Sequence, residues 1–425
     1  MMKQLCASLL LTLLVLYFGP ASAAINQSTV QKLLAADNAA GDHFGYSVAV
    51  DGGTAVIGAP YDDDKGSAYV FVRAADGTWR QQAKLTASDG AAEDSFGYSV
   101  AVADGTAVIG APDDDDKGNS SGSAYVYVRA ADGTWSRQAK LAASDGAAED
   151  SLGFSVSLDG GTAVIGAKNC DPVTFLCSGS AYIFVRSAGS TWNQQAKLAA
   201  SGGSANEVFL RSVSVSGNIA LIGADGYDDQ GFPSGAAYVF VRSPSGTWSQ
   251  EAKLSTSDGN ENDSFGSSVA VDGNTALIGT NFSGSAYVFV RSADGTWRQQ
   301  AKLTAGDAGL DYYAFISVAV DGDTAVIGLV HGSESSDYSA GAAYVFVRSA
   351  NGTWSQQSKL AAPVFNYFGY FGYSVSVDGN TALIGSWGDT EPGSWSGAAY
   401  VFTEGQVTLP PVLLTPVLPL LLLKE

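Results

Sequence analysis

Apolar and polar positions repeat along this chain with a period of about 50 residues. Each copy resembles FGYSVAVDGGTAVIGAP, followed by a variable stretch, AYVFVR, a short turn and a GTW segment that ends in AKL. The runs TAVIGA and AYVFV have the length of strands and are apolar at successive positions, so both of their faces must be covered. A repeat of this length that is built only from short strands is typical of one propeller blade.

The spacing of the repeats predicts a closed ring. In the first copy we expect strands at 46–50, 54–59, 67–73 and 78–86. Seven copies contain the first three strands, but only six contain the Trp-bearing fourth strand. Lys32-Leu33 precedes Phe44-Gly45 at the spacing at which Lys84-Leu85 precedes Phe96-Gly97. The sequence therefore predicts an all-β, seven-bladed β-propeller of four-stranded blades. An N-terminal strand at 30–35 should complete the last blade by pairing with 398–402, which closes the ring.

The copies resemble FG-GAP repeats, the units of the integrin α-subunit β-propeller and of many secreted bacterial proteins. The motifs that carry this resemblance are Phe44-Gly45, Phe96-Gly97, Phe265-Gly266, Phe371-Gly372, Gly58-Ala59-Pro60 and Gly110-Ala111-Pro112. The resemblance covers roughly residues 30 to 403 and implies a propeller that binds an extracellular ligand. In the family's calcium-binding blades a D-x-D-x-D-G-x-x-D loop joins strands one and two. Here that connection is a tight turn such as Asp51-Gly52-Gly53, so the family's calcium sites are not carried over.

The two ends of the chain differ in composition from the repeats. Residues 1–23 have the features of a signal peptide: Lys3, an apolar run from Leu9 to Phe18, and Ala21-Ser22-Ala23 as a cleavage site. Residues 24–404 form the predicted propeller. Residues 405–425 are a tail rich in Pro and Leu, which we interpret as an unstructured end or a degenerate surface anchor; we expect no transmembrane helix there. These features predict a secreted or cell-surface protein.

Export also bears on the cysteines. Two cysteines remain after the predicted cleavage, Cys170 and Cys177, and both lie in one variable segment of the third repeat. An oxidising compartment favours a local disulfide between them, and two cysteines alone do not suffice for a structural metal site. The sequence therefore predicts a Cys170–Cys177 disulfide.

Acidic residues are abundant and concentrated. The formal net charge is −20, which argues against binding of nucleic acid or of an anionic membrane surface. Because strands alternate in direction, the loops after strands two and four share one rim of the ring, here called the acidic rim. The turns after strands one and three share the other, here called the tight-turn rim. The candidate binding residues are on the acidic rim: Asp62, Asp63, Asp64, Asp113, Asp114, Asp115, Asp116, Asp228 and Asp229.

Two other interpretations of the acidic rim remain open. The first is that its carboxylates serve solubility alone. The second is that they bind calcium, but weakly, because runs of adjacent aspartates lack the spacing of a calcium loop. The sequence predicts no other cofactor and no confident metal site.

The residues that support catalysis in other propellers are not evident in the sequence. His43 and His331 lie in different loops, and Ser292 to Trp297 resembles the Asp box of sialidases but is two residues shorter. We therefore expect a secreted, non-enzymatic binding or adhesion propeller that presents its acidic rim to an unknown extracellular protein or glycan. The alternatives are a glycan-binding lectin or sialidase-like propeller, and a structural surface protein.

Overall fold

The computed structural model describes these residues: 25–170, 177–201, 209–225, 235–256, 263–281, 283–305, 315–330, 340–364, 366 and 368–404. They form 28 strands in seven antiparallel sheets of four strands each. One short 3-10 turn is present, at Asp62–Asp64. None of the helices in the described part of the chain is long and apolar enough to cross a membrane.

The strands, in chain order, are β1 Ile25–Leu33, β2 Ser47–Asp51, β3 Thr54–Ala59, β4 Ser67–Arg73, β5 Trp79–Leu85, β6 Ser99–Ala103, β7 Thr106–Ala111, β8 Ser123–Arg129, β9 Trp135–Leu141, β10 Leu152–Asp159, β11 Thr162–Cys170, β12 Cys177–Arg186, β13 Trp192–Leu198, β14 Phe209–Ser216, β15 Ile219–Ala224, β16 Ala236–Arg242, β17 Trp248–Leu254, β18 Phe265–Asp272, β19 Thr275–Thr280, β20 Ser285–Arg291, β21 Trp297–Thr304, β22 Phe315–Asp321, β23 Thr324–Val330, β24 Ala342–Arg348, β25 Trp354–Leu360, β26 Val375–Asp378, β27 Thr381–Ser386 and β28 Ala398–Glu404. Blade 1 consists of β2 to β5, and each later blade takes the next four strands. Blade 7 consists of β26 to β28 together with β1.

The predicted closure of the ring is confirmed. Strand β1 pairs antiparallel with β28, with Val30 opposite Phe402 and Leu33 opposite Ala399. The strand begins earlier than the sequence pattern suggested, at Ile25, and its register shifts between Ile25 and Val30. The two ends of the described chain therefore lie in one sheet, which leaves the ring without an open blade edge.

The core lies between the blades, because the second and third strands of each blade are covered on both faces. Every residue of β3 and β7 is buried. The repeated tyrosine of the third strand is buried in all seven blades. One hydrophobic cluster, for example, joins Ile57 and Phe71 of blade 1 to Leu383 and Val401 of blade 7. The apolar runs that predicted two-sided burial thus form the surfaces along which adjacent blades pack.

The repeated Phe-Gly and Gly-Ala pairs hold adjacent blades at close range. Gly97 has a φ of 94°, and a Cβ atom there would lie 2.2 Å from the carbonyl oxygen of Ser67 in the preceding blade. A Cβ atom on Gly58 would lie 1.9 Å from the carbonyl oxygen of Gly97. Only glycine allows this approach of one backbone to another. Phe96, next to Gly97, is fully buried. Where it is present, the motif therefore positions the start of a blade's first strand against the blade before it.

Repeated polar side chains also link adjacent blades. On the outer strands, the Nε1 groups of Trp135, Trp192, Trp248, Trp297 and Trp354 each donate to a Gln or Glu side chain of the preceding blade at 2.9 to 3.0 Å, whereas the buried Nε1 group of Trp79 has no such partner. On the tight-turn rim, the side chain that ends one innermost strand accepts a hydrogen bond from an amide of the next blade's turn. The acceptors are Asp51, Asp159, Ser216, Asp272, Asp321 and Asp378. In the blades that have them, these side chains therefore link the turn of one blade to that of the next.

Candidate functional site

Two adjoining clefts open on the acidic rim. The larger one, here called the major cleft, lies between blades 1 and 2 and has a volume of about 740 Å³. Its described lining residues are Pro60, Tyr61, Asp64, Ala92, Glu93, Ser95, Asp113, Asp115, Asn119 and Ser120. The smaller one, here called the minor cleft, lies between blades 2 and 3 and has a volume of about 200 Å³. Its described lining residues are Tyr98, Pro112, Asp113, Glu149, Ser151, Phe154 and Lys168.

Asp113 lines both clefts. It is half-buried and follows Pro112, directly after β7 ends. Burial raises the pKa of its carboxyl group, and the neighbouring carboxylates of Asp115, Glu149 and Glu93 raise it further, although a hydrogen bond with Ser95 opposes them. A carboxylate with a raised pKa accepts a proton more readily than an ordinary one. Asp113 is thus a half-buried carboxyl group with a raised pKa that lines both clefts.

Lys168 lies on the opposite side of the minor cleft from blade 2, near the end of β11. Its ammonium nitrogen lies 4.8 Å from the centre of the Phe154 ring. Burial lowers the pKa of Lys168, and the positive charge of Arg211 lowers it further, although the carboxylate of Asp225 opposes them. Arg211 itself lies 3.7 Å from Asp225. One small cleft therefore contains a carboxyl group whose pKa is raised and an amine whose pKa is lowered, an arrangement typical of acid–base sites.

Aromatic side chains near the start of the first strand of several blades lie beside these clefts. The ring of Tyr46 is 5.1 Å from the rings of both Tyr98 and Tyr373, and Tyr98 is 5.3 Å from Phe154. The hydroxyl group of Tyr373 donates to that of Tyr46 at 3.2 Å. Burial raises the pKa of Tyr98 to about 12, so this phenol remains neutral and can donate a hydrogen bond at physiological pH. Tyr61, which is 49% exposed, supplies an apolar wall of the major cleft.

Two of the predicted binding residues are buried and have a different role. Asp62 and Asp114 are 3% and 2% exposed. The carboxylate of Asp114 accepts a hydrogen bond from Tyr125 at 2.8 Å and pairs with Lys140 at 2.7 Å. Asp62 makes the equivalent contacts with the repeated tyrosine and lysine of blade 1, at 2.6 Å and 2.8 Å. We call this arrangement the Asp–Tyr–Lys lock. It stabilises the loop after the second strand and leaves these two carboxylates unavailable to a ligand.

A third lock closes blade 7, where Asp389 accepts a hydrogen bond from Tyr400 at 2.7 Å and pairs with Lys32 at 3.1 Å. Lys32 belongs to β1, so this lock also joins the two ends of the ring. The Lys and Tyr of the lock are repeat residues, whereas the Asp comes from the variable loop. Sequence comparison of the repeats alone therefore did not distinguish it from the neighbouring aspartates.

The other predicted site residues divide into three groups. Asp64, Asp113 and Asp115 line the major cleft. Asp63 and Asp116 are exposed and pair with lysines of their own blades at 3.1 Å and 2.5 Å. Asp228 and Asp229 lie outside the described residues, as do the predicted signal peptide, His331 and the C-terminal tail. No group of three or more potential metal ligands is present among the described residues, so weak calcium binding remains a prediction.

Some residues that line the clefts were missed in the sequence analysis, notably Tyr61, Tyr98 and Lys168. The two positions after the Gly-Ala pair are Pro60-Tyr61 in the first copy, Pro112-Asp113 in the second and Lys168-Asn169 in the third. These positions vary from blade to blade while the residues before them repeat. Loss of the repeat pattern at the end of the second strand was therefore a usable signal for Tyr61 and Lys168, but not for Tyr98, which is at a repeated position.

Comparison with known families identifies the repeats. A family model described as FG-GAP repeat matches residues 28–71, 79–127, 135–184, 192–240, 248–289, 297–346 and 354–402. These matches cover most of the chain, and the protein belongs to the FG-GAP repeat family. Each match begins in or near the outermost strand of one blade and ends in the third strand of the next. The family's repeat is thus offset by one strand from the blade. A search of curated protein sequences found no match.

Comparison with solved structures finds other propellers. A periplasmic gluconolactonase of Pseudomonas aeruginosa aligns with a TM-score of 0.51 and 16% identity, over 77% of this chain and 86% of that chain. A protein of Bacteroides uniformis, provisionally described as a 6-phosphogluconolactonase, aligns with a TM-score of 0.51 and 12% identity, over 76% of this chain and 85% of that chain. At this level of identity the likeness establishes the shared fold.

These neighbours correct the function expected from the sequence. The prediction of a non-enzymatic binding or adhesion propeller was wrong, because the similar propellers include proteins described as lactonases. The error came from treating the repeated residues as evidence against catalysis. Repeated strands build the ring and do not bear on whether residues outside the repeat pattern, such as Asp113 and Lys168, form a site.

Proposed function

We propose that this protein is a hydrolase of the lactonase type, with its active site where the major and minor clefts meet. The observation that carries the proposal is the position of Asp113. Its carboxyl group lines both clefts, its pKa is raised by burial and by three neighbouring carboxylates, and Lys168 lines the same minor cleft. The lactonase names of two structural neighbours support this choice among hydrolytic reactions.

The proposed reaction adds water to the carbonyl carbon of a cyclic ester. Asp113 accepts a proton from the water as its oxygen forms a bond to that carbon. The Lys168 ammonium group and the neutral Tyr98 hydroxyl group offer positive charge and a hydrogen bond to the negative charge that develops on the carbonyl oxygen. The ring C–O bond then breaks, and the leaving oxygen takes the proton from Asp113, which gives the open hydroxy acid and restores the carboxylate.

The proposed location is outside the cytoplasm. Residues 1–23 have the features of a signal peptide, and one structural neighbour is described as periplasmic. The predicted Cys170–Cys177 disulfide belongs to the same proposal. In the backbone register of β11 and β12 these two cysteines lie directly opposite each other, and Cα atoms of such a cross-strand pair are close enough for a disulfide.

The test is hydrolysis of glucono-1,5-lactone and of a panel of other lactones by the purified protein, followed as acid release in a pH-stat. We expect hydrolysis above the spontaneous rate, and we expect Asp113→Asn to lower kcat/KM by about a hundredfold or more. Because the base must be ionised, the activity should be lost as the pH falls through the raised pKa of Asp113, above the range of an ordinary aspartate.

The matched control is Asp132→Asn, which removes one carboxylate from an exposed turn on the tight-turn rim. This variant should retain wild-type hydrolysis. Wild-type protein that hydrolyses no member of the panel faster than buffer does, or an Asp113→Asn variant with full activity, would contradict the proposal.

A further inference from the structure

The charges around the two clefts bear on the substrate. Four carboxylates line the major cleft: Asp64, Glu93, Asp113 and Asp115. The minor cleft shares Asp113 and adds Glu149. Among the described residues that line these clefts, Lys168 alone is basic. A substrate that enters the site therefore meets a strongly negative field.

The other nearby lysines that the structure describes do not line the clefts. The ammonium groups of Lys84 and Lys140 are paired with the lock aspartates Asp62 and Asp114, as well as with exposed carboxylates of adjacent loops. Lys65 donates to the carbonyl oxygen of Gly90 at 2.9 Å, and it is not one of the residues that line either cleft. Recognition of a phosphate group in proteins depends on Arg or Lys side chains, or on amide groups that surround its oxygens.

The walls of the clefts match an uncharged substrate better. Tyr61 lines the major cleft with an exposed aromatic ring, and Tyr98 and Phe154 line the minor cleft. Ser95, Asn119 and Ser120 add polar groups that can hydrogen bond to neutral hydroxyl groups. Such a combination of apolar walls and a few polar groups is typical of small-molecule sites.

We infer that the site accepts uncharged lactones and rejects their phosphorylated counterparts. This inference rests on the proposed function and separates the two activities for which the structural neighbours are named. Repulsion between a phosphate dianion and the cleft carboxylates should oppose both binding and encounter. We expect kcat/KM for glucono-1,5-lactone to exceed that for its 6-phosphate at least about a hundredfold at low salt, and added salt should reduce this ratio because it screens the carboxylates.

The experiment compares both substrates with three proteins at two salt concentrations. The first is the wild type, and the second is Asp64→Asn/Glu93→Gln/Asp115→Asn, which removes three cleft charges but keeps Asp113. The third is a charge-matched control, Asp76→Asn/Asp132→Asn/Asp294→Asn, which removes three charges from exposed turns on the tight-turn rim. We expect the cleft variant to reduce the substrate ratio at least about tenfold at low salt and the control variant to leave it unchanged.

Each outcome has a separate meaning. A wild type that hydrolyses the 6-phosphate as fast as the neutral lactone, or faster, overturns the inference and leaves the proposed function standing. A substrate ratio that the control variant changes as much as the cleft variant also overturns it, because the selectivity would then reflect the net charge of the molecule. A wild type that hydrolyses neither lactone overturns the proposed function, and the inference with it.

Discussion

The two rims of this propeller both have many acidic side chains, but they use them differently. On the tight-turn rim, aspartates at equivalent positions of several blades accept a hydrogen bond from the next blade's turn, as Asp51 does from the amide of Asp104 at 2.9 Å. On the acidic rim, adjacent residues of one loop have opposite roles. Asp114 is buried in an Asp–Tyr–Lys lock, whereas Asp113 lines both clefts. Acidic composition alone therefore does not define a binding face.

The pKa shifts express the same difference. Burial raises the pKa of Asp51, and neighbouring carboxylates add to the effect although the bound amide opposes it. Burial would also raise the pKa of Asp114, but the hydrogen bonds from Lys140 and Tyr125 outweigh it and lower the pKa overall. The lock therefore stabilises the charged form of its aspartate, whereas Asp51 on the tight-turn rim lies near other carboxylates that favour its neutral form.

The largest effect on stability is expected from removal of β1, the strand that completes blade 7 and closes the ring. Deleting residues 24–37 removes β1, which pairs with β28 and supplies Lys32 to the third lock. Blade 7 would then have an exposed edge, and the ring would no longer be closed. We expect a large fall in the thermal midpoint and loss of a single cooperative transition in calorimetry. An unchanged midpoint would show that closure does not contribute to stability.

The second largest effect on stability is expected from loss of a lock aspartate, which should cost more than loss of an exposed carboxylate in the same loop. Asp114→Ala should lower the free energy of unfolding by about 3 to 5 kcal/mol, because it leaves Lys140 and Tyr125 without their buried partner. Asp116→Ala is the matched comparison, since its side chain is 60% exposed and pairs with the same lysine. Its cost should be at most about 1 kcal/mol. Urea unfolding of both variants measures the difference, and equal costs would contradict the distinction.

The fold could be predicted from the sequence because the same pattern of strands and turns occurs in seven copies. The spacing of Lys32-Leu33 before Phe44-Gly45 was enough to place β1 in the last blade. The site could not be predicted in the same way, because Asp113 and Asp114 are neighbours of the same type in a variable loop. Which of them is buried against Tyr125 and which faces the clefts depends on the backbone of that loop. Neither periodicity nor composition contains that information.

The smallest effect on stability is expected at Asp51 on the tight-turn rim. Its negative charge should oppose folding, whereas the negative charge of Asp114 in the lock favours it. The pKa of Asp51 is raised in the folded protein, so the folded state binds a proton there more tightly than the unfolded state does. Its ionisation near neutral pH therefore opposes folding, and this penalty is relieved as the pH falls through the raised pKa. Asp51→Asn keeps an oxygen that accepts the Asp104 amide hydrogen bond but removes the charge.

We therefore expect Asp51→Asn to be neutral or slightly stabilising at pH 7, with a difference from wild type that disappears in acid. Asp51→Ala should lower the free energy of unfolding by about 1 kcal/mol, because it leaves the Asp104 amide without its partner.

For Asp114, whose pKa is lowered, the stabilisation is complete above the unfolded pKa and is lost as the pH falls through the folded value. Asp114→Asn should therefore be destabilised at pH 7 and approach wild-type stability only in strong acid. Denaturant unfolding of both asparagine variants from pH 7 down to about pH 2 provides the measurement. Parallel curves would mean that the carboxylates of the two rims contribute to stability in the same way.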